Sequence, residues 1–273
     1  MKKYVLLLLV VCLLGYYARG HFGEKKTLRI GVECDYAPNN WLEDHPTDTN
    51  LPIANDPGHY AEGYDIQIAK LVAAEMNASV EVVKIGWNDL LPALKRGEID
   101  AVFSGMLDTS SRRMDADFSE TYDVARTEYT IAVNKASSYA GAEKLSDFSG
   151  ARIVAQNGTN LDAAIDQIDG VVHMPPVNTV SDMLKMVVEN EADGTVINFD
   201  TGQTYERKYD NLKVIRFPEG KGFHLDFNGI CAGVRKGNAK LLESINNALL
   251  KISSRERHRI MDRTIARAFQ VLP

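Results

Sequence analysis

Arg112 is a residue equipped to hold an anion, because a guanidinium can grip a carboxylate with two parallel, charge-assisted hydrogen bonds. Its neighbour Arg113 and the polar segment around it also describe a plain surface pair, and spacing alone favours that reading. Gly158-Thr159-Asn160, between a strand-like run and a helical one, is a second place where an anion could dock. Free backbone N–H groups and the helix dipole make such a turn receptive, and Thr159 or Asn160 can equally serve as a helix cap. Catalytic signatures are missing: there is no Walker-type loop, no Gly-x-Ser-x-Gly elbow and no His-Glu-x-x-His pair. His21, His45, His59, His173, His224 and His258 lack metal-ligand spacing and read as solvated loop residues, so neither a metal nor a cofactor is implied.

These residues sit in a chain of 273 residues, 45% hydrophobic and 25% charged, which excludes disordered and low-complexity classes. The net charge of −6 is the wrong sign for tracking phosphates, so nucleic acid is not an expected partner. Strand-like and helix-period runs alternate. Leu28–Val32, Val80–Ile85 and Ile99–Phe103 read as strands, with a helix face at Ile68, Leu71, Val72 and Met76 and a short helix from Asn88 to Arg96. After a strand at Thr127–Asn134 a second series begins. It has strands at Arg152–Ala155, Thr195–Ile197 and Lys213–Phe217, and helices at Leu161–Ile168, Val180–Glu189 and through Tyr205. Gly229–Arg235 reads as a last strand, followed by helices near 238–252 and 254–268, the latter rich in arginine. The order predicts two α/β units with mostly parallel sheets. Glu43 to Glu62 reads as a long polar loop at the C-terminal end of a strand, where open sheets place ligands.

Residues 1–20 read as a secretory signal peptide: Lys2-Lys3, an apolar run from Val5 to Tyr17, and the small residues of Ala18-Arg19-Gly20 before His21. An uncleaved anchor is the alternative. Cys12 follows Val11, a poor match to a lipidation site. Cleavage before His21 would take the net charge to −9 and leave Cys34 and Cys231, either two buried thiols or one disulfide.

Several phrases together resemble the amino-acid-binding family of bacterial extracellular solute receptors that serve ABC importers, family 3 of the solute-binding proteins. They are Leu28–Val32 leading to Asp35-Tyr36-Ala37-Pro38, then Gly63-Tyr64-Asp65-Ile66, and Trp87-Asn88-Asp89-Leu90-Leu91-Pro92-Ala93-Leu94 with Gly97-Glu98-Ile99-Asp100-Ala101 behind it. Gly105-Met106, Thr109, Arg112, Asp117-Phe118-Ser119 and Tyr122 follow, then Gln156, Gly158 and Thr159, and finally Ala232 to Gly237. The resemblance runs in order over nearly all of the chain beyond residue 20.

It implies a two-lobed α/β periplasmic-binding-protein fold of type II, with the ligand in the cleft between the lobes. Lobe 1 would be 27–126 plus 228–273, lobe 2 would be 134–222, and 127–133 and 223–227 would cross between them. It implies a monomer that captures an amino acid or a relative and delivers it to an ABC permease at the outer face of the cytoplasmic membrane or in the periplasm. In the site it implies Arg112 on the ligand carboxylate, with Ser104, Gly105 and Leu107 alongside and the Thr159-Asn160 turn closing from the second lobe. Tyr36 and Trp87 would sandwich the ligand's stem, Trp41 would line the mouth, and Glu33 would face the far end or pair with a local lysine.

Three positions depart from the family pattern. Leu107 stands where Ser or Thr is usual. Asn198 stands where an acid usually binds the α-ammonium, with Asp200 two residues on as a substitute. Asn39 replaces an aromatic residue. The standard α-amino-acid clamp is thereby in question. Periplasmic cyclohexadienyl dehydratases resemble these receptors and share a Gly-Thr-Asn turn, which makes an enzyme the main alternative. The residue after Asn160 is Leu161, however, and Asp162 is turned about 100° further around the helix. A ligand-sensing module for a signalling receptor is the third reading, since it would use the same closure.

Overall fold

The computed structural model describes residues 26–123, 128–225 and 229–271, so the N-terminal targeting segment lies outside the described residues. Two five-stranded sheets organise the chain. The first is ordered β6 (Ala78–Lys84), β1 (Lys26–Val32), β7 (Ala101–Val102), β14 (Cys231–Arg235), β8 (Ala116–Thr121). Strand β1 runs parallel to β6 and β7, and β14 runs antiparallel to β7 and β8. The second sheet is ordered β11 (Val172–His173), β10 (Arg152–Val154), β12 (Gly194–Asn198), β9 (Tyr129–Asn134), β13 (Leu212–Ile215). Here β10 is parallel to β11 and β12, while β9 is antiparallel to β12 and β13. The chain therefore leaves the first sheet after β8, builds the second, and returns to the first with β14. This is a two-lobed α/β fold. The crossovers expected at 127–133 and 223–227 fall partly on 124–127 and 226–228, outside the described residues; of the rest, 129–133 belong to β9 and Phe223–Leu225 form no strand.

Why the central strands are apolar on both faces follows from the helices that cover them. Ile30 and Val32 in β1 and Val196 and Ile197 in β12 are fully buried. Helix α1 (Tyr64–Glu75) packs between β6 and the C-terminal helices α6 (Ala239–Leu249) and α7 (Ser254–Val271). That double contact corrects the sequence reading of its face. The buried arc includes Asp65, Ile68, Ala69, Val72 and Ala73, and Leu71 falls just beyond its edge, 36% exposed. Helix α2 (Leu90–Arg96) starts after a 3₁₀ turn at Trp87–Asp89. The second lobe carries α3 (Asn160–Ala164), α4 (Val180–Val188) and α5 (Phe199–Lys208).

Glu43 to Glu62 is not the single loop expected. It contributes β4 (Leu51–Pro52) and β5 (Tyr60–Glu62) to a small antiparallel sheet, ordered β2 (Asp35–Tyr36), β3 (Asn40–Glu43), β5, β4. Strands of two or three residues held by non-local pairing leave no periodic trace in a sequence. Cys34 and Cys231 are both buried and free, which settles the pairing question in favour of thiols. Desolvation pushes each thiol up to about 12.

The small sheet is fastened to the first lobe by Asp65, whose carboxylate is fully buried. It accepts hydrogen bonds from Asn40 Nδ2 at 2.7 Å, from Tyr122 Oη at 2.6 Å and from the backbone of Gly105. Desolvation outweighs these donors and raises the carboxyl to about 6. Asp65→Ala would leave the donors of Asn40, Tyr122 and Gly105 without their acceptor, and at about 1–3 kcal/mol for each buried donor left unpaired the expected loss is at least about 2 kcal/mol. Urea denaturation of the variant measures it, and a loss below about 1 kcal/mol would contradict the role given to this group.

Candidate functional site

The cleft between the lobes is built from strand ends and the turns that follow them. On the first lobe, Glu33 comes directly after β1 and its backbone N–H donates to Ser104 Oγ at 3.0 Å. Tyr36 closes β2 and lays its ring over Gly105; a Cβ at Gly105 would come within 2.6 Å of Tyr36 Cε1, so only glycine permits the approach. Arg112 begins the 3₁₀ turn Arg112–Met114, donates from Nη1 to Leu107 O at 2.9 Å, and stands 5.0 Å from the centre of the Trp87 ring. On the second lobe, Tyr129 opens β9 and is the register partner of Asn198 at the end of β12. Gln156 follows β10, and Thr159, Asn160 and Leu161 start α3.

The lobes meet in polar contacts. Gln156 Nε2 donates to the Glu33 carboxyl, and Asn198 Nδ2 donates to Tyr36 Oη. Trp87 Nε1 donates to Gly158 O at 3.0 Å, and Asp35 accepts from the backbone N–H and hydroxyl of Ser181. Gly158 has φ +71, and a Cβ there would lie 2.3 Å from Asn88 Oδ1 of the facing lobe, so glycine is what lets the lobes come this close. The space enclosed is about 40 Å³, room for a few water molecules, and a larger occupant enters only with the lobes apart.

Two residues lining this cleft carry ionisable charge at ordinary pH, Arg112 and Glu33. Desolvation lowers the Arg112 guanidinium to about 10, which leaves it charged at neutral pH. Desolvation, reinforced by the nearby charge of Asp35 and opposed by Gln156, lifts Glu33 to about 8. The same burial acts on the two groups in opposite directions because it disfavours the charged form of each.

Glu33, Tyr36, Trp87, Gly105, Leu107, Arg112, Thr159, Asn160 and Asn198 all line the cleft. Ser104 does not; it is 1% exposed and its hydroxyl is spent on the backbone of Glu33. Asp200 is not among the lining residues either and lies exposed on α5. Trp41 is core rather than mouth, with its indole N–H on Glu43 at 3.2 Å. Asn39 is buried and does not line the cleft, and its Oδ1 has no hydrogen-bond partner among the described residues. The sequence reading missed Tyr129 and Leu161 as lining residues and left Gln156 out of the site, although Gln156 stands in one of the phrases that carried the resemblance. Asp162 points elsewhere: its carboxylate pairs with His173 Nε2 at 2.9 Å, and Asp166 holds Nδ1 of the same ring at 2.9 Å. Among the described residues no three His, Cys, Asp or Glu side chains converge on a metal position.

Two α/β lobes with a polar cleft between them, lined from both sides, define a protein that encloses a small solute. The chain belongs to the bacterial extracellular solute-binding proteins, family 3, whose profile matches residues 28–265. It is 27% identical to the arginine-binding extracellular protein ArtP of Bacillus subtilis (strain 168), over 91% of this chain and 92% of that protein. A probable histidine-binding protein of Neisseria gonorrhoeae is 24% identical over 92% of this chain and 91% of its own length. Among solved structures, the amino acid ABC transporter substrate-binding protein AbpA of Streptococcus pneumoniae, bound to L-arginine, matches with a TM-score of 0.75. The match covers 90% of this chain and 97% of that one at 16% identity. An ancestral arginine-binding protein bound to arginine matches with a TM-score of 0.71, at 24% identity over 90% of this chain and 100% of the other. At such identities the structural matches speak to the fold alone.

The titration of Glu33 has a readable consequence. Its folded value of about 8 lies above the ordinary 4.5, so between those values the folded protein binds more protons than the unfolded chain. Stability therefore falls as pH rises through that window. Glu33→Gln keeps an acceptor for Gln156 and removes the titration. In melting curves from pH 5 to 9, the variant should gain on the parent steadily up to about pH 8 and no further. Parallel curves would contradict the burial of this carboxyl.

Proposed function

We propose that this chain is an exported receptor that captures an amino acid or a closely related small carboxylate between its lobes and delivers it to an ABC importer in the membrane. The observation that carries the reading is Arg112. Its guanidinium sits in the interlobe cleft on one backbone carbonyl and one indole face, with no acid among its contacts within the described residues. A desolvated cation left that way is stabilised by an anion brought in from outside, and a carboxylate fits its fork bidentately. Trp87 and Tyr36 offer flat rings to the ligand's stem, and Thr159, Asn160 and Leu161 supply contacts from the opposite lobe. A ligand that touches both lobes at once favours the closed form by its differential affinity for it, and that closed shape is what a permease would read.

Glu33 is the natural contact for the ligand's other end. An amide can hydrogen-bond to its neutral form, and a cation would draw the carboxyl back to its ionised form with release of a proton. The names of the relatives, arginine- and histidine-binding proteins among them, support an amino-acid-like ligand. The first 20 residues support export, and no helix among the described residues is long and apolar enough to cross a membrane. A dehydratase would need an acid beside the Gly158-Thr159-Asn160 turn, and Asp162, two residues beyond that turn, is engaged by His173 and does not line the cleft.

A thermal-shift screen of the purified protein against amino acids, their derivatives and prephenate tests this. A ligand at about 100 times its dissociation constant adds roughly 2.7 kcal/mol, a visible shift. Arg112→Ala should keep the circular-dichroism spectrum of the folded protein and weaken the hit at least tenfold, the lower end for a charge-assisted bond of roughly 1.5–3 kcal/mol. Unchanged affinity would remove Arg112 from the site, and a shift with prephenate alone would favour the enzyme.

A further inference from the structure

We infer that the ligand presents a carboxylate to Arg112 but no free ammonium on the adjacent carbon, the α-position carrying instead hydrogen or a neutral group such as a hydroxyl, an oxo or an acylated nitrogen. This rests on the carboxylate-receptor reading above and narrows its ligand class.

The cleft divides into two groups of side chains. One holds Arg112, Leu107, Tyr36, Tyr129 and Asn198. Arg112 donates to Leu107 O, Asn198 Nδ2 donates to Tyr36 Oη, and Tyr129 and Asn198 face each other across β9 and β12. The other is centred on Glu33, whose carboxyl receives Gln156 Nε2 and whose backbone rests on Ser104, with Asp35 just beyond. Among the described residues Arg112 contacts no carboxylate, and Glu33 contacts no cation.

An α-amino acid carries its ammonium one carbon from its carboxylate. With the carboxylate on Arg112, the ammonium one carbon away falls to the first group, which contains no acid among the described residues. Its acceptors there are phenol oxygens and Asn198 Oδ1, an oxygen that is buried and has no hydrogen-bond partner. Leu107 and Leu161 add apolar lining. A primary ammonium buried on neutral acceptors loses its water without gaining a counter-charge, which is costly. A neutral substituent has no such debt. The Asn198 amide has donors on one side and an open acceptor on the other, so it suits a group that both gives and takes hydrogen bonds. Glu33, the one carboxyl among the described residues that line the cleft, is left for the far end of the ligand.

Calorimetry on the purified protein with matched ligands tests this. The pairs are L-arginine against 5-guanidinopentanoate and against Nα-acetyl-L-arginine, and L-glutamine against its des-amino analogue 5-amino-5-oxopentanoate. For whichever parent scaffold binds, the better of its α-neutral partners is expected to bind tighter than the free amino acid or within threefold of it. Asn198→Asp should reverse the order, tightening the free amino acid about tenfold or more while weakening the α-neutral partner. A free amino acid more than threefold tighter on the unsubstituted protein overturns the inference and leaves the receptor reading standing. If no carboxylate of either kind binds, the receptor reading falls and takes the inference with it.

Discussion

The first-lobe half of the cleft hangs from one buried carboxyl. Asp65, in the first turn of α1, gathers donors from the small sheet, from the segment after β8 and from the turn after β7. Each of those three pieces carries or braces part of the site. Asn40, one donor, uses its Oδ1 to hold the backbone N–H of Cys34 at 2.8 Å, and so fixes the residue beside Glu33. Tyr122, the second, also accepts Tyr64 Oη on its carbonyl, which ties the start of α1 to the end of the first sheet. Gly105, the third, lies under the ring of Tyr36 and opens the turn towards Leu107 and Arg112. The cost of desolvating Asp65 is offset only while all three donors are in place, because a half-satisfied buried network is worse than none. Site geometry and local stability are therefore one requirement in this lobe.

The second lobe meets this frame through a different kind of contact. Glu33 with Gln156, Tyr36 with Asn198, Trp87 with Gly158 and Asp35 with Ser181 are polar pairs that water could satisfy nearly as well in an open form. Each contributes a net of only about 0.5–1.5 kcal/mol at best. Behind the cleft, α7 spans both lobes. Arg267 pairs with the buried Glu43 of β3, while Ala268 packs in the cluster that includes Tyr205 of α5, and Arg207 of α5 stacks on Phe269. The closed form is thus held by exchangeable hydrogen bonds together with an apolar cluster that joins Tyr36, Ala37 and Trp41 of the first lobe to Val180, Met183 and Tyr205 of the second. Such a balance is one that a small ligand can tip, since a shift in population needs only differential contact energy of a few kcal/mol.

How much of this could be read from the chain depends on the distance over which each feature is determined. Trp87, Arg112 and the Gly158-Thr159 turn belong to short phrases at strand ends, and those local phrases placed them in the cleft region. Tyr129 escaped notice because its place in the site comes from pairing with Asn198, 69 residues away on another strand. Ser104 and Trp41 had the right neighbourhood and the wrong direction: the serine hydroxyl turns back to a backbone N–H, and the indole turns inward to Glu43. Leu71 shows the same limit in a helix, where periodicity gives a stripe but only the packing of two partners sets its width. The antiparallel strands within 43–62 were invisible because two or three residues show no period.

Burial of the cleft has unequal consequences for its two charges. Arg112 starts so far above neutrality that a fall to about 10 leaves it fully charged, whereas Glu33 starts below neutrality and a rise to about 8 carries it across. At neutral pH the side chains lining the cleft therefore carry a net positive charge, within a chain of net charge −6. A ligand carboxylate on Arg112 cancels that charge and removes the main electrostatic objection to closure. What happens at Glu33 then depends on the occupant: a neutral far end leaves the proton where it is, and a cation displaces it. On the receptor reading proposed above, Arg112 is a fixed requirement for an anion, and Glu33 an adjustable partner whose charge follows the ligand. One physical effect, the loss of water on closing, sets both behaviours, and it does so because the lobes shut tightly around an arginine that has no acid partner among the described residues.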